Sequence, residues 1–357
     1  QKGEVGAFAS FTAGVTQTEP VMIDALERVA RRVLQGWPII RRTLQPMLNA
    51  SPERRLAEAV NLADVRRCAQ LRMHPMCFGY LDSGADDEQT LRRNHDAFAA
   101  HDMYHKVLSG VSPEKLDTST NLFGRSVASP FLICPTAGNR MFHADGERAV
   151  AKAASSRGMA YALSTLATTN MQTIDDIFRR SIEESTSAES TSAESTSAAP
   201  SLTTPPPKIF QVYAWRDRGL LRDVIQLAKT YGFDALALTA DLSWYGNRER
   251  DSRTGFTVPP AFSPQQLLGA ILRPAWTFDY LSTEKYTYAL LDDKVEAEKL
   301  SSFINAQMDP AFDWADAEWL CNEWNGKVAL KGVVRPDDAE RALGSGFSSL
   351  WVSNHGG

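Results

Sequence analysis

Short apolar runs alternate with helical patterns from Phe131 to the end of the chain, and this alternation constrains the fold more than any other feature. The predicted strands cover residues 131–134, 160–164, 209–214, 235–240, 328–332 and 350–353. The predicted helices between them cover residues 146–157, 171–180, 219–231, 314–324 and 336–343. Strands that alternate with helices in this way form a parallel sheet with right-handed crossovers.

The number of strands bears on the architecture. Six strands can be counted, and an eight-stranded barrel would need two more, which would have to follow Gly357. We therefore predict an α/β protein, a TIM (β/α)8 barrel truncated after its sixth strand, with an open edge that exposes apolar strand surface. An open doubly wound sheet is the alternative, but its first strand is normally followed by a glycine-rich phosphate loop, and none follows here.

Composition narrows the class of protein. The chain has 357 residues, of which 43% are hydrophobic and 23% charged, so it is globular in class and long enough to fold as one large barrel or two ordinary domains. A net charge of −5 argues against a nucleic-acid binder. No run of eighteen apolar residues occurs, so no membrane span is predicted.

Cysteine usage indicates the redox environment. The four cysteines, Cys68, Cys77, Cys134 and Cys321, stand far apart and form no CxxC pair. We predict that they are buried free thiols in an intracellular, reducing compartment, which could be cytoplasm, peroxisome or mitochondrion. No metal site is predicted.

The chain divides into an extension and a barrel. Residues 1–60 form a predicted N-terminal helical extension, whose arginine-rich stretch suits either a docking helix or a membrane-surface or targeting helix. Residues 61–357 form the incomplete barrel. Within it, the Ser-Thr-Ser-Ala-Glu repeats at 185–199 predict a disordered insertion that spans 183–207 on the amino-terminal face. Residues 254–311 form a long predicted loop on the catalytic face, where lids and specificity elements occur.

Polar residues collect at the carboxyl ends of the predicted strands, where α/β barrels hold catalytic groups. They are Thr136, Ser164, Gln211, Tyr213, Thr239, Asp241, Lys331, Ser353 and His355. Donors and acceptors such as Ser164, Gln211 and Thr239 suit the edge of a flat heterocycle. The ammonium of Lys331 suits a ring that gains negative charge on reduction. Together these features describe a flavin site.

Three residues suggest acid–base chemistry on a carboxylic acid. His355 could act as a base that the carboxylate of Asp241 orients and supports electrostatically. Arg248, on the loop after the fourth predicted strand, offers a planar fork that matches a substrate carboxylate.

Seven separated blocks of sequence resemble the FMN-dependent 2-hydroxy-acid oxidase and dehydrogenase family, which includes glycolate oxidase, lactate oxidase, and flavin-type lactate and mandelate dehydrogenases. The blocks lie at 79–88, 135–147, 163–168, 210–213, 238–251, 330–333 and 353–357, the last reading Ser353-Asn354-His355-Gly356-Gly357. They occur in the family's order and cover the chain from about residue 61 to its end.

The resemblance implies a role for each site residue. His355 would be the base that acts on the substrate's 2-hydroxyl or α-hydrogen, and Asp241 would steady its protonated form. Tyr80 and Arg248 would hold the carboxylate, and Tyr213 would bond the substrate oxygen. Lys331 would stabilise the reduced flavin beside N1 and O2. The remaining cofactor contacts would come from Pro135, Thr136, Ala137, Ser164, Gln211, Thr239 and, near the ribityl chain, Ser353.

The resemblance also implies features beyond Gly357, since the family's next arginine and its FMN-phosphate segments would follow that residue. We predict FMN-dependent oxidation of an L-2-hydroxy acid to the 2-oxo acid, with electrons passed to oxygen or another acceptor. The complete protein would be a homo-oligomer that binds no nucleic acid. The alternative is a truncated, non-catalytic fragment or pseudoenzyme that acts, if at all, through interactions.

Overall fold

The computed structural model describes residues 56–189, 204–244, 246–261, 263–284, 286–291, 295–296 and 299–357. The chain divides into two compact units, residues 1–68 and 69–357. Nearly all of the predicted N-terminal extension, including its arginine-rich stretch, lies outside the described residues. The architecture below is that of the second unit.

Three helices and a hairpin precede the main sheet. The helices are α1 (Leu62–Arg72), α2 (Pro75–Asp82) and α3 (Gln89–Ala99), and α1 begins before the boundary between the two units. The hairpin pairs β1 (Thr120–Leu122) with β2 (Arg125–Val127). Sequence analysis predicted none of these short elements.

The strand-helix units follow in regular order. They comprise β3 (Leu132–Ile133), α4 (Gly146–Ser156), β4 (Ala160–Leu163), α5 (Met171–Glu189), β5 (Lys208–Tyr213), α6 (Arg218–Thr230) and β6 (Ala235–Thr239). The connection after β6 carries α7 (Glu249–Thr254), α8 (Pro264–Ile271), α9 (Pro274–Ser282), α10 (Leu300–Gln307) and α11 (Trp314–Trp324). The chain continues with β7 (Lys327–Val333), α12 (Pro336–Gly344) and β8 (Ser349–Val352).

The six strands β3 to β8 form one parallel sheet in sequential order, and the sheet curls into a half barrel. This confirms the predicted α/β class and the truncated TIM barrel. Strands β3 and β8 form the edges of the sheet. Val352 in β8 is 84% exposed.

The two faces of the sheet differ in the size of their side chains. Large residues such as Phe210, Leu236 and Leu330 belong to the main core with residues of the surrounding helices. The opposite, inner face is lined mostly by small residues, including Ala162, Ala237 and Ala329. Because side chains alternate along a strand, polar residues two positions farther on also point inward. The inner face is therefore lined mostly by small side chains along the strands and by polar side chains at their carboxyl ends.

The prediction for the cysteines is correct in one respect and wrong in another. All four are free thiols, and Cys77 and Cys321 are buried. Cys68 is only half-buried and Cys134 is exposed. Cys134 follows β3, an edge strand, so no neighbouring strand covers it on that side.

Two segments contain more helix than the sequence predicted. Helix α5 continues to Glu189, so the described residues 183–189 of the predicted disordered insertion are helical, whereas 190–203 lie outside the described residues. The predicted loop at 254–311 contains α8, α9 and α10. Apolar residues on α8 and α9 are exposed, among them Leu268, Ile271 and Phe278. No described helix is both long and apolar enough to cross a membrane.

We expect Phe210→Ala to lower the free energy of unfolding by about 3–5 kcal/mol, because Phe210 is fully buried and its loss would leave a cavity. Phe278→Ala is the matched control, since Phe278 is 72% exposed and its loss should change stability by no more than about 0.5 kcal/mol. Urea unfolding of both variants tests this prediction. Equal losses would show that the sheet does not pack as described.

Candidate active site

A hydrogen-bonded row of buried polar groups crosses three adjacent strands at their carboxyl ends. Ser164 Oγ, just after β4, donates to Gln211 Oε1 at 3.1 Å. Gln211 Nε2, in β5, donates to Thr239 Oγ1 at the end of β6, at 2.9 Å. The backbone N–H of Thr165 also donates to Gln211 Oε1, at 3.2 Å. These bonds fix the orientation of the Gln211 amide, so the row is rigid before any ligand binds.

An irregularity in β7 shapes the next part of the rim. Lys331 pairs with Thr239 on one side and Trp351 on the other, and the register then shifts between Lys331 and Val333. Gly332 has φ +106°, which non-glycine residues rarely adopt. A Cβ on Gly332 would lie 2.5 Å from the Asp241 Cβ. Glycine is therefore required for β7 and Asp241 to approach this closely.

Asp241 and His355 form the closest contact at the rim. His355 Nδ1 lies 2.7 Å from Asp241 Oδ1. Ser353 Oγ donates to Asp241 Oδ2 at 3.0 Å, and Lys331 Nζ lies 3.4 Å from the same oxygen. Lys331 Nζ is also 3.4 Å from His355 Nδ1. The shorter contact to the carboxylate decides the tautomer, because an ionised Asp241 requires the hydrogen on Nδ1. His355 Nε2 then carries the lone pair of a base.

Opposing effects set the ionisation of Asp241. Burial disfavours the charged carboxylate, but the hydrogen bond and charge of His355, the charge of Lys331 and the Ser353 hydroxyl outweigh it. Together they lower the pKa of Asp241 from 3.8 to about 2. Asp241 is therefore ionised at neutral pH and stabilises positive charge on the His355 ring.

Hydrogen bonds to distant residues of the chain anchor the loop that carries His355. His355 has φ +62°, and its N–H donates to Ser353 Oγ at 3.0 Å. Asn354 and Asn94 of α3 exchange two amide hydrogen bonds, of 2.8 and 3.1 Å. The N–H of Ala85 donates to the carbonyl of Gly357 at 3.0 Å. These contacts hold the His355 backbone in an uncommon conformation and so fix the position of its imidazole ring.

Tyr213, the last residue of β5, lies beside His355. Its ring is centred 6.5 Å from the His355 ring, and the two planes are inclined by 26°. Thr136 lies at the other side of the rim, where its hydroxyl donates to Asn139 Oδ1 at 3.0 Å. Pro135 and Ala137 flank Thr136 and are half-buried. Thr136 is exposed, whereas Tyr213 is buried.

The structure also brings Tyr80 and Arg248 together. The Arg248 guanidinium lies 4.5 Å above the Tyr80 ring. Its Nη2 donates to Ser83 Oγ at 2.8 Å and to the Tyr80 carbonyl, and its Nε lies 2.9 Å from Asp251 Oδ2. Burial raises the pKa of Tyr80, against the opposing charge of Arg248, so Tyr80 keeps its hydroxyl proton. No contact is described between this pair and Asp241 or His355, and shared substrate binding stays a prediction.

Sequence analysis placed most of these residues at the rim but missed several that hold them. The roles of Gly332, Asn94 and Asn354 depend on contacts between distant parts of the chain. Glu147 ends the sequence block at 135–147, and its carboxyl is fully buried. The sequence signal for Glu147 was an acidic residue in the first turn of a predicted helix, which by itself indicates only helix stabilisation. Among the described residues, no group of three or more His, Cys, Asp or Glu side chains could hold a metal ion.

Gly332→Ala should displace Asp241 and destabilise the protein by about 1–3 kcal/mol, because the new methyl group meets Asp241 and the backbone is strained. Gly344→Ala is the control, since a Cβ at Gly344 meets nothing within 4 Å. Urea unfolding measures both effects. A Gly332→Ala variant as stable as the Gly344→Ala variant would contradict the close approach.

Asp241→Asn should remove a stabilisation that depends on pH. The pKa of Asp241 is about 2 in the folded protein and about 3.9 in an unfolded chain, so its contribution is complete above the unfolded value. That contribution is lost as pH falls through the folded value. The stability difference between the unaltered chain and the variant should therefore shrink between about pH 4 and pH 2. A difference that stays constant in urea unfolding across this range would contradict the ion-paired arrangement.

Comparisons with known proteins agree with this geometry. The family model described as FMN-dependent dehydrogenase matches residues 69–357. The L-lactate dehydrogenase of Pseudomonas paraeruginosa is 31% identical over 305 residues, which cover 82% of this chain and 71% of that protein. The L-lactate dehydrogenase of Alcaligenes faecalis is 31% identical over 299 residues, with 82% and 71% covered.

Solved structures give the same result. A mandelate oxidase superposes with a TM-score of 0.61 at 26% identity, covering 84% of this chain and 70% of that one. The monotopic membrane protein (S)-mandelate dehydrogenase superposes with a TM-score of 0.70 at 24% identity, covering 83% and 72%, which supports the fold. The family model, the two sequence relatives and the arrangement of the rim all lead to one conclusion: the chain belongs to the FMN-dependent dehydrogenase family.

Proposed function

We propose that this protein oxidises an L-2-hydroxy acid to the corresponding 2-oxo acid at the carboxyl ends of strands β3 to β8, with FMN as cofactor. The observation that carries the proposal is the 2.7 Å contact between His355 Nδ1 and Asp241 Oδ1, beside the ammonium of Lys331. This arrangement provides a base, a carboxylate that supports its protonated form, and a cation next to them. Membership of the FMN-dependent dehydrogenase family supports the cofactor.

The residues present fit a flavin. Gln211 is held between Ser164 and Thr239, and this buried row offers donors and acceptors to the polar edge of an isoalloxazine ring. The Lys331 side chain is largely buried, so its charge is weakly screened by water. FMN, when bound, accepts the two electrons that oxidation of the alcohol releases. The residues that would hold it are Pro135, Thr136, Ala137, Ser164, Gln211, Thr239, Lys331 and Ser353.

His355 would act as the base through Nε2, since Nδ1 faces Asp241. The proton comes from the substrate's 2-hydroxyl or from its α-carbon, and both alternatives use the same nitrogen. Asp241 is ionised and lies in contact with the ring, so it stabilises the imidazolium that forms. Tyr213, beside the His355 ring, would orient the oxygen at the reacting carbon.

The substrate carboxylate would bind near Tyr80 and Arg248. Arg248 is positioned by Ser83 and Asp251 and lies over the Tyr80 ring, so its guanidinium plane is fixed. A fixed guanidinium plane favours bidentate binding of a carboxylate. The loop that follows α2 contacts the loop that carries His355, because the N–H of Ala85 donates a hydrogen bond to the carbonyl of Gly357.

The electron acceptor, assembly and compartment are further parts of the proposal. The acceptor would be oxygen or another oxidant, and the protein would be a homo-oligomer. The four free cysteines support a reducing compartment. The rival proposal of a non-catalytic fragment is not favoured, because Asp241, Lys331 and His355 are assembled in contact and the relatives are dehydrogenases and oxidases.

The test mixes the FMN-loaded full chain with glycolate, L-lactate or L-mandelate in the absence of oxygen. The visible absorbance of the flavin is then measured over time. The unaltered chain should lose flavin absorbance with at least one of these acids. His355→Ala should bind FMN but be reduced about 10²–10⁴-fold more slowly, because its general base is absent. His101→Ala, which removes an exposed histidine outside the site, should react like the unaltered chain.

Two results would contradict the proposed function. One is a chain that does not bind FMN. The other is a His355→Ala variant whose flavin is reduced as fast as that of the unaltered chain.

A further inference from the structure

Glu147 is a fully buried carboxyl group that no part of the proposed reaction uses. It lies in the first turn of α4, immediately after the rim loop that follows β3. Among the described residues, no Lys, Arg or His side chain lies within ion-pair distance of it. A buried carboxyl without a cationic partner is costly unless hydrogen bonds satisfy its oxygens.

Four hydrogen bonds satisfy the Glu147 carboxyl. Oε1 accepts from the N–H of Asn139 at 3.2 Å and from the N–H of Thr168 at 2.9 Å. Oε2 accepts from the hydroxyl of Thr168 at 2.6 Å and from that of Thr169 at 3.0 Å. The two oxygens are thus used entirely to hold backbone and side-chain donors of other loops.

These donors belong to two loops at the rim of the barrel. Asn139 belongs to the β3 loop, residues 134–141, which contains Pro135, Thr136 and Ala137. Thr168 and Thr169 belong to the β4 loop, residues 164–169, which begins with Ser164. Both loops carry residues assigned above to the flavin, and Glu147 contacts each loop within a few residues of those positions. One buried side chain therefore connects two loops that would hold the same cofactor.

Further contacts near Glu147 bring the β3 loop and the β4 loop close together. The N–H of Arg140 donates to Thr168 Oγ1 at 3.3 Å, and the N–H of Gly138 donates to the carbonyl of Leu166 at 3.0 Å. Gly146, the residue before Glu147, has φ +48°, and a Cβ there would lie 2.7 Å from the Arg140 side chain. The β3 loop, the β4 loop and the start of α4 consequently form one hydrogen-bonded unit.

We propose that Glu147 is a positioning residue for the flavin site: it fixes the β3 and β4 loops relative to each other, so that the contacts of residues 135–137 and of Ser164 with FMN form without further ordering of the chain. This inference rests on the proposed function and deepens it. Preorganisation increases affinity because loops that are already ordered lose little entropy on binding. Loss of Glu147 should weaken FMN binding although Glu147 does not touch the cofactor.

A second buried carboxylate provides the matched control. Asp175 on α5 is 5% exposed and forms an ion pair with Lys208, the first residue of β5. It therefore lies at the amino end of the strands, away from the rim. Removal of either carboxylate disturbs a buried polar network, but only Glu147 contacts the two rim loops.

The experiment titrates the apoprotein of the full chain with FMN and follows flavin fluorescence, the visible circular dichroism of the bound flavin and the Tm of the apoprotein. Glu147→Ala should weaken FMN binding by about tenfold or more and change the flavin dichroism. Asp175→Ala should lower the Tm but leave the FMN affinity within about twofold of the unaltered chain. Thr168→Val, a change of similar volume that removes the hydroxyl of the same network, should weaken FMN binding in the direction of Glu147→Ala.

Glu147→Gln should retain most of the affinity. The amide oxygen can accept from the two backbone N–H groups, and the amide nitrogen can donate to the two threonine hydroxyls. Rescue by this variant would show that the hydrogen-bond network, rather than the charge, positions the loops.

Three results would overturn the inference. One is that both alanine variants weaken FMN binding in proportion to their loss of Tm, which would indicate a general effect of stability. Another is that Thr168→Val and Glu147→Ala bind FMN with unaltered affinity and dichroism, which would leave the proposed function intact. If the unaltered chain does not bind FMN at all, the proposed function fails and this inference fails with it.

Discussion

The site depends on the alternation of side chains along the strands of a curled parallel sheet. Positions two apart point to the same face, so Ala162 and Ser164, Ala237 and Thr239, and Ala329 and Lys331 lie on the inner side. Small residues let the inner face curve, and the polar residues that follow them meet at the carboxyl ends. The bulge at Gly332 modifies this pattern at the one point where Asp241 must approach β7. Fold and site therefore arise from the same periodicity.

At the rim, the negative charge of the Asp241 carboxylate is balanced by nearby cationic and hydrogen-bond-donating groups. Asp241 would be destabilised by burial alone, but His355, Lys331 and Ser353 surround its carboxylate and keep it ionised. The ion pair therefore stabilises the rim, and in the proposed function it would also support His355 as the base through Nε2. A different device is used at Glu147, whose carboxyl is satisfied by backbone and hydroxyl donors. In the functions proposed above, the first group would act on the chemistry, whereas the second would order the loops around it.

Much of the fold could be predicted because apolar runs and turns are local signals. Each of the six predicted strands agrees with the structure within one residue at either end. Helix α5 was predicted too short, since serine, threonine and glutamate can extend an established helix that they would not start. The sequence does not predict helices α8, α9 and α10, because the prolines in the segment at 254–311 favour a loop.

The rim residues could be predicted because each ends a strand, and parallel strands bring their carboxyl ends together. The contacts that hold them could not. In the sequence, most of the barrel separates Asn94 from Asn354. Most of a helix and a strand separate Glu147 from Thr168. No local sequence pattern therefore predicts either hydrogen bond. The exposure of Cys134 likewise depends on β3 being an edge strand.

The most direct test of the account is a crystal structure of the full chain with FMN and a 2-oxo acid bound. We expect the isoalloxazine ring to lie over the inner face, with its polar edge bonded to Gln211 and Lys331, and with the acid between the ring and His355 Nε2. Electron density for FMN at any other place on the chain, or an acid bound away from His355, would contradict it.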